Sequence, residues 1–470
     1  MASDILILDV IHNDGGVVNK DVNSGLGSRT MIGHSWRAKI LEWLKGQTVV
    51  LPSIVLPYAA AILKNKGHRV QYLRVFSQTD HGRILSRISQ IAPQPGIIVF
   101  NPALVGYRSE LAIVDFLRRE FPSTRFGALG SLATVFPDLI SQHFDWVING
   151  EPEKILMESD IEDFAGVVSV KGLVDNLDVL PFPDWSIYGQ ERFSYRPMLS
   201  RVPLHTMLAS RGCPMSCLYY CSYPAIQGKR WRSRSAASLA DEIDYLIKNF
   251  GTRAILFRDP YFSFRAEKTM AMAEEILRRK LQVQWGCETR LDSLDKQGID
   301  LLYASGLRSV NIGVESEDHA ILASAKRRPV ERSHEVEMVE YCRKKGVKVN
   351  TFFILGLTDD TEQTILNTIQ YSISLRGFCA QYTINTPAPG TPWFADMQGK
   401  FTETDLEKYD NNHLVFQHKN LTPQDMYRLK EKAFVDYYFR WRFLFDQIRW
   451  RCWDMKDWWN LKIPVVTPTS

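Results

Sequence analysis

Cys213, Cys217 and Cys221 fall on one short stretch, Arg211-Gly212-Cys213-Pro214-Met215-Ser216-Cys217-Leu218-Tyr219-Tyr220-Cys221. Three close thiolates can each hold one iron of a cubane cluster, leaving the fourth iron open to the amino and carboxylate groups of a small molecule. The competing reading is part of a structural zinc site, but such a site wants four ligands. The next cysteine downstream is Cys287, at no useful spacing.

Such a loop needs a rigid support. His205-Thr206-Met207-Leu208-Ala209, immediately before it, reads as a strand. Further strands are expected near 253–258, 283–289, 309–315, 349–355 and 380–386, with helical segments between them. Leu239, Ile243, Leu246, Ile247 and Phe250 have the spacing of one helix face. Six βα units in a row predict a partial (β/α)6 barrel over residues 201–395. Its site belongs at the carboxyl ends of the strands.

Alternation along each strand sorts the side chains that could line that site. Gly286, Glu288 and Arg290 share a face, as do Asn311, Gly313 and Glu315, and Gln381, Thr383 and Asn385. The apolar faces should turn outward to helices, so these polar sets should point inward. Glu288 and Arg290 could pair with the charged ends of a bound amino acid. Asp259 in Phe257-Arg258-Asp259-Pro260 ends the second strand and is a further candidate, as is Asn385. Cys287 should then point out towards helices as a packed thiol. No residue is singled out as a catalytic acid, base or nucleophile.

Residues 1–150 alternate apolar runs with helical stretches. Ile5-Leu6-Ile7-Leu8, Gly96-Ile97-Ile98-Val99-Phe100 and Trp146-Val147-Ile148 look like buried parallel strands. Pro57 to Leu63 looks like a helix, closed by Gly67. The pattern predicts a doubly wound, Rossmann-like parallel sheet. Residues 151–200, with Leu180-Pro181-Phe182-Pro183, read as a linker. Residues 396–470 form a helical extension. In it Tyr438, Trp441 and Phe445 have helical spacing, with arginines interleaved. Docking of these aromatic residues on the barrel is the expected arrangement. A lid or a membrane-surface helix is the alternative.

A net charge of +4 gives no sign of bulk nucleic-acid binding. The apolar stretch Val49–Leu63 is broken by Pro52, Ser53 and Pro57 and is too short to span a bilayer. The Met-Ala-Ser-Asp start has no basic leader, and seven cysteines in a long chain do not suggest a disulfide scaffold. A cytoplasmic location is expected.

The cysteine segment resembles the radical S-adenosylmethionine (radical SAM) superfamily, whose usual pattern is Cys-x3-Cys-x2-Cys. This chain departs from that pattern with three residues, Leu218, Tyr219 and Tyr220, in the second gap. The resemblance implies a 4Fe–4S cluster on Cys213, Cys217 and Cys221, with SAM on the open iron. It places Tyr220 near the adenine, and Glu315 and Ser316 at the methionine or ribose part of SAM. The first block resembles the cobalamin-binding domain that precedes many radical SAM domains. The resembling residues are Phe126-Gly127-Ala128-Leu129-Gly130-Ser131 and Asp145-Trp146-Val147-Ile148-Asn149-Gly150-Glu151. This implies cobalamin near Gly127, Gly130 and Ser131, where glycines let backbone approach a flat ligand. The loop Gly25-Leu26-Gly27-Ser28 is a further candidate near the corrin. Some of these domains supply an axial histidine from Asp-x-His-x-x-Gly. Here Val10-Ile11-His12-Asn13-Asp14-Gly15 keeps the His-to-Gly spacing without the leading Asp, which makes His12 a candidate ligand.

The implied activity is methyl transfer to an unactivated carbon of a small-molecule or lipid-like substrate. The electron would come from a reductant such as flavodoxin or ferredoxin. A ring-forming or oxidising radical SAM enzyme and a non-enzymatic cobalamin- or cluster-binding sensor remain as alternatives.

Overall fold

The structure, a computed structural model, describes residues 3–12 and 18–460. Asn13, Asp14 and Gly15 of the histidine motif lie outside the described residues.

The apolar runs of the first block form a six-stranded sheet. Its strands are β1 (Asp4–Ile11), β2 (Arg69–Phe76), β3 (Ile97–Phe100), β4 (Arg125–Ala128), β5 (Trp146–Asn149) and β6 (Gly166–Ser169). They are all parallel, in the order β2-β1-β3-β4-β5-β6. The chain steps from β1 to one side, then returns to the other side through β3, as in doubly wound folds. Helix α1 (Trp36–Thr48) starts at Ser35, whose Oγ accepts from the Ala38 N–H at 3.3 Å. Helix α2 (Val55–Asn65) buries Leu56 and Tyr58 through Leu63 against the sheet. Strand β6 extends the first sheet past residue 150, so part of the expected linker is sheet.

Gly127 is glycine because of its neighbour on β5. An ideal Cβ there would lie 2.0 Å from Cζ2 of the buried Trp146. It therefore serves strand packing, with the Trp146 ring lying where a Cβ would stand. Gly127→Ala is expected to destabilise the first domain by about 2 kcal/mol through overpacking. A calorimetric melting temperature equal to wild type would contradict this.

The second block forms β7 (Leu204–Met207), β8 (Ala254–Phe257), β9 (Gln284–Thr289), β10 (Leu307–Glu315), β11 (Lys348–Leu355) and β12 (Cys379–Ile384). These six strands are parallel and adjacent in sequence order, as repeated βα units require. Cys287 is buried in the core, on the outward side that alternation assigns to it.

Helix α3 (Pro423–Tyr438) lies against β12, where the Tyr438 hydroxyl donates to Ala380 O at 2.7 Å and accepts from Ala380 N at 3.0 Å. The chain breaks at Phe439-Arg440 and resumes as α4 (Trp441–Asn460). Tyr438 docks as expected, but Trp441 and Phe445 do not: they are 79% and 69% exposed. The break between the helices rotates the aromatic series out of phase. No helix of the described residues is long and apolar enough to cross a membrane.

Candidate active site

The cysteine loop is clipped shut at its base. Ser210–Arg211 pairs antiparallel with Arg232–Ser233, and the Cys213 N–H donates to Gly228 O at 3.1 Å. Gly212 sits at φ +83°, where an ideal Cβ would be 2.2 Å from Arg230 O, so only glycine fits this turn. A 3₁₀ turn, Ser216–Tyr219, carries Cys217, and the Cys221 N–H donates to Cys217 O at 3.0 Å.

All three thiols are free of disulfides. Burial pushes the Cys213 thiol up to about 11, and it lifts Cys217 and Cys221 as well. Cys217 also raises Cys213, and both raise Cys221, whereas the Arg327 and Arg290 guanidiniums pull Cys213 and Cys217 down. A dry, cation-flanked trio of this kind suits an anionic cluster, because binding iron deprotonates each ligand. Among the described residues no three His, Cys, Asp or Glu side chains converge where one ion could sit. Ligands to separate irons need not converge.

Asp259 roots the loop. It is fully buried, accepting from Ala209 N at 3.1 Å, from Ser210 Oγ at 2.6 Å and from Ser210 N. It cannot reach a ligand in this position. Its neighbour Arg258 takes the site position instead, bonding the Glu288 carboxylate. Arg258 also donates to Asp21 O at 2.7 Å, and its Nε lies 3.4 Å from the Asp21 carboxylate. Burial raises Asp21 to about 6, with Arg258 opposing and Glu288 reinforcing. The expected Glu288 and Arg290 set is thereby divided. Glu288 binds Arg258 and accepts from the Tyr223 hydroxyl at 3.3 Å. Arg290, just past β9, forks onto Asp292 at 3.0 and 2.7 Å.

Glu315 ends β10 at φ +68°, where the register with β11 shifts. Its carboxylate lies 3.4 Å from Arg327 Nη2, and a Cβ on Gly313 would be 2.3 Å from Glu315 Oε1. The extra residue before Cys221 separates the two tyrosines. Tyr219 faces outward, donating to Asp396 Oδ2 at 2.9 Å beneath the Lys326 ammonium, 3.9 Å from its ring. Tyr220 turns inward, close to Arg327 and Cys217. Ser316 is buried and accepts from Asp318 N at 3.1 Å. Asn385 is buried and donates to Gly356 O at 3.2 Å.

An open cleft runs between the carboxyl ends of the two sheets. Ser24, Gly25, Gly130, Ser131 and Gly150 line one wall; Leu208, Arg211, Tyr223 and Arg258 line the other. Gly130 (φ +97°) could not carry a Cβ, which would lie 2.0 Å from Asn101 Oδ1. Ser131 Oγ donates to Ser24 O at 2.6 Å, joining the two glycine loops expected near the corrin. Glu151 fastens the floor. It accepts from Arg211 at 2.7 Å, Arg232 at 3.0 Å and Val174 N at 2.7 Å, while Glu153 takes the second Arg211 nitrogen at 2.8 Å. Burial pushes the Glu151 carboxyl up, but Arg211 and Arg232 outweigh it and hold it below its ordinary range.

His12 is buried with both ring nitrogens engaged: Nε2 with Glu110 at 2.9 Å and Nδ1 with Ser109 at 3.2 Å. Glu110 also binds Lys20 at 2.9 Å. In this arrangement His12 offers no nitrogen to a metal in the cleft.

Alternation missed Arg258, because a strand end carries no phase. It missed Arg327, although Lys326-Arg327-Arg328 is a visible basic run. It also missed Tyr195, from the linker, whose hydroxyl donates to Asn311 Oδ1 at 3.0 Å inside the barrel.

Residues 207–372 match the Radical SAM superfamily, so the barrel is a radical SAM domain, carried behind a doubly wound α/β domain. The bacteriochlorophyllide d C-12(1)-methyltransferase of Chlorobaculum tepidum is 28% identical over 294 residues, covering 61% of this chain and 63% of that protein. The anaerobic magnesium-protoporphyrin IX monomethyl ester cyclase of Rubrivivax gelatinosus is 28% identical over 393 residues, covering 76% and 68%. The chain spans 59% and 63% of the length of two curated relatives it matches, both named methyltransferases. Among solved structures, the radical SAM methyltransferase TsrM from Kitasatospora setae aligns with a TM-score of 0.64 at 17% identity, covering 90% of this chain and 88% of that one. The likeness is one of fold, and at 90% coverage it extends over both sheets of this chain.

Proposed function

We propose that this chain is a radical SAM enzyme that binds a 4Fe–4S cluster on Cys213, Cys217 and Cys221 and cobalamin in the interdomain cleft. It methylates an unactivated carbon of a small-molecule or lipid-like substrate. The observation that carries the reading is the Asp21–Arg258–Glu288 chain. It joins the glycine-loop wall of the cleft to the barrel, and Arg211 and Tyr223, which flank the cysteine loop in sequence, line the same cleft, which supports two neighbouring cofactor positions. When bound, the cluster with SAM supplies carbon-radical chemistry, and the corrinoid supplies a methyl group.

The protein's own part is positioning. Glu315 and Arg327 present a carboxylate and a guanidinium beside the cysteines, matching the amino and carboxylate ends of SAM. Tyr220, turned inward, is the aromatic surface for the adenine. Ile54, Val55, Leu208 and Ile226 give the cleft apolar walls that exclude water from a radical. Flavodoxin or ferredoxin would supply the electron, and a reducing cytoplasm would keep the thiols free.

The test is anaerobic reconstitution with iron, sulfide and cobalamin, then turnover of methyl-deuterated SAM. Cluster and corrin absorption bands, 5′-deoxyadenosine, S-adenosylhomocysteine and a labelled product are expected. An unlabelled product with 5′-deoxyadenosine alone would exclude methylation. It would favour a ring-forming reaction, to which the match across 76% of this chain with a protein named a cyclase lends weight. Absence of SAM cleavage would leave only a binding role.

A further inference from the structure

Helix α1 turns an apolar stripe to solvent. Trp36, Ile40, Trp43 and Leu44 are exposed, at the spacing of one helix face, and Trp36 and Trp43 are 65% and 64% exposed. Ala38 is the only fully buried residue of the helix. Helix α4 does the same with Trp441, Leu444, Phe445 and Ile448. The stripes adjoin. The ring of Trp36 meets Phe439 edge-on at 6.0 Å, and the Arg37 guanidinium caps both rings at 5.3 and 5.4 Å.

Opposite the exposed stripe, α4 is fixed to the barrel. Trp450 packs on Phe378 at 5.3 Å, Asp446 pairs with Arg376 at 3.2 Å, and Asp454 pairs with Lys348 at 2.8 Å. The outward stripe is therefore held in place. Core-type spacing on a solvent face needs a partner that is itself apolar.

Charge selects the partner. Arg37, Lys39, Arg442, Arg449 and Arg451 are exposed around the stripes. Among the described side chains of the two helices the acidic groups are engaged: Asp446 and Asp454 as above, and Glu42 by Ile32 N at 2.7 Å and Lys39 at 2.9 Å. A second copy of this face would set like charges against each other. Tryptophan and phenylalanine fringed by arginine is the composition of helices that lie at a lipid interface, and anionic headgroups complement the fringe.

We propose that α1 and α4 together bind the surface of an anionic lipid bilayer, lying in the interfacial plane with their aromatic stripes inserted. This rests on no assumption about the cofactors.

Full-length protein would be centrifuged with vesicles of phosphatidylglycerol mixed with phosphatidylcholine, and with phosphatidylcholine alone. Binding to the anionic vesicles is expected, with a blue shift of tryptophan emission and at least about tenfold weaker binding to neutral vesicles. Trp441→Ser/Phe445→Ser should abolish binding. Arg442→Glu/Arg449→Glu, which leaves the apolar stripe intact, should weaken it about tenfold or more. All four positions are exposed, so melting temperatures should match wild type. The proposal is overturned by failure of the wild type to bind anionic vesicles, by equal binding to neutral ones, or by full binding of both variants. It is equally overturned if sedimentation equilibrium shows a dimer that Trp441→Ser/Phe445→Ser converts to monomer, because the occupant would then be a second copy.

Discussion

Replacing Cys213, Cys217 and Cys221 together by alanine is expected to lower the iron and sulfide retained after anaerobic reconstitution from about four of each per chain to background. SAM cleavage should disappear with them. The loop itself should survive the substitution, because its closure depends on other groups. Those are the Ser210–Arg211 pairing, the Gly212 turn and the Cys213 N–H to Gly228 O bond, all of them backbone. The variant should therefore melt within about 1 kcal/mol of the iron-free wild type. Iron and sulfide content unchanged by the triple substitution would end the cluster reading.

Asp259→Ala should be severe for a different reason. It strips three buried donors, Ala209 N, Ser210 N and Ser210 Oγ, of their acceptor at the point where β7 hands over to the cysteine loop. The expected cost is about 4 kcal/mol, from unsatisfied buried donors. Iron retention should fall with it, although Asp259 touches no ligand. A melting curve and iron analysis check both, and a variant with wild-type stability would show that the bracket is not what holds the loop. A pH effect follows. Burial lifts the Asp259 carboxyl from 3.8 to about 7, against the pull of its hydrogen bonds. The folded chain thus holds the proton more tightly than the unfolded one. The group's contribution is complete below about pH 4 and is lost as pH rises through about 7. Asp259→Asn should remove that slope from the stability of the apoprotein.

Strands β1, β3 and β5 of the first sheet were legible as apolar runs, a pattern set by burial on both faces, and several barrel strands by their alternation of polar and apolar residues. The cysteine loop was legible from its chemistry alone. Ligand-facing residues at strand ends were harder to read. Alternation holds only while the strand is regular, and the bulge at Gly313/Glu315 and the end of β8 at Phe257 both interrupt it. So Glu288 and Glu315 fall beside the site, while Asp259 turns into the protein and Arg258, not singled out from the sequence, bonds Glu288. Gly130 and Ser131 line the cleft, but Gly127 answers to Trp146, a neighbour that only the three-dimensional pairing reveals. In the tail, helical spacing identified the aromatic stripe but not its direction. A two-residue break at Phe439-Arg440 resets the helical phase, and composition cannot report that rotation.

Glu151 belongs to the end of β5, yet the guanidiniums that neutralise it, Arg211 and Arg232, come from the strand pair beneath the cysteines. A cut anywhere between them strands a carboxylate on one fragment and two cations on the other, each stripped of the dry surroundings that made the trio stable. The halves of this molecule are therefore a poor choice for exchange between chimaeras. A swap that keeps its function must carry both shores of that ionic clasp from the same parent.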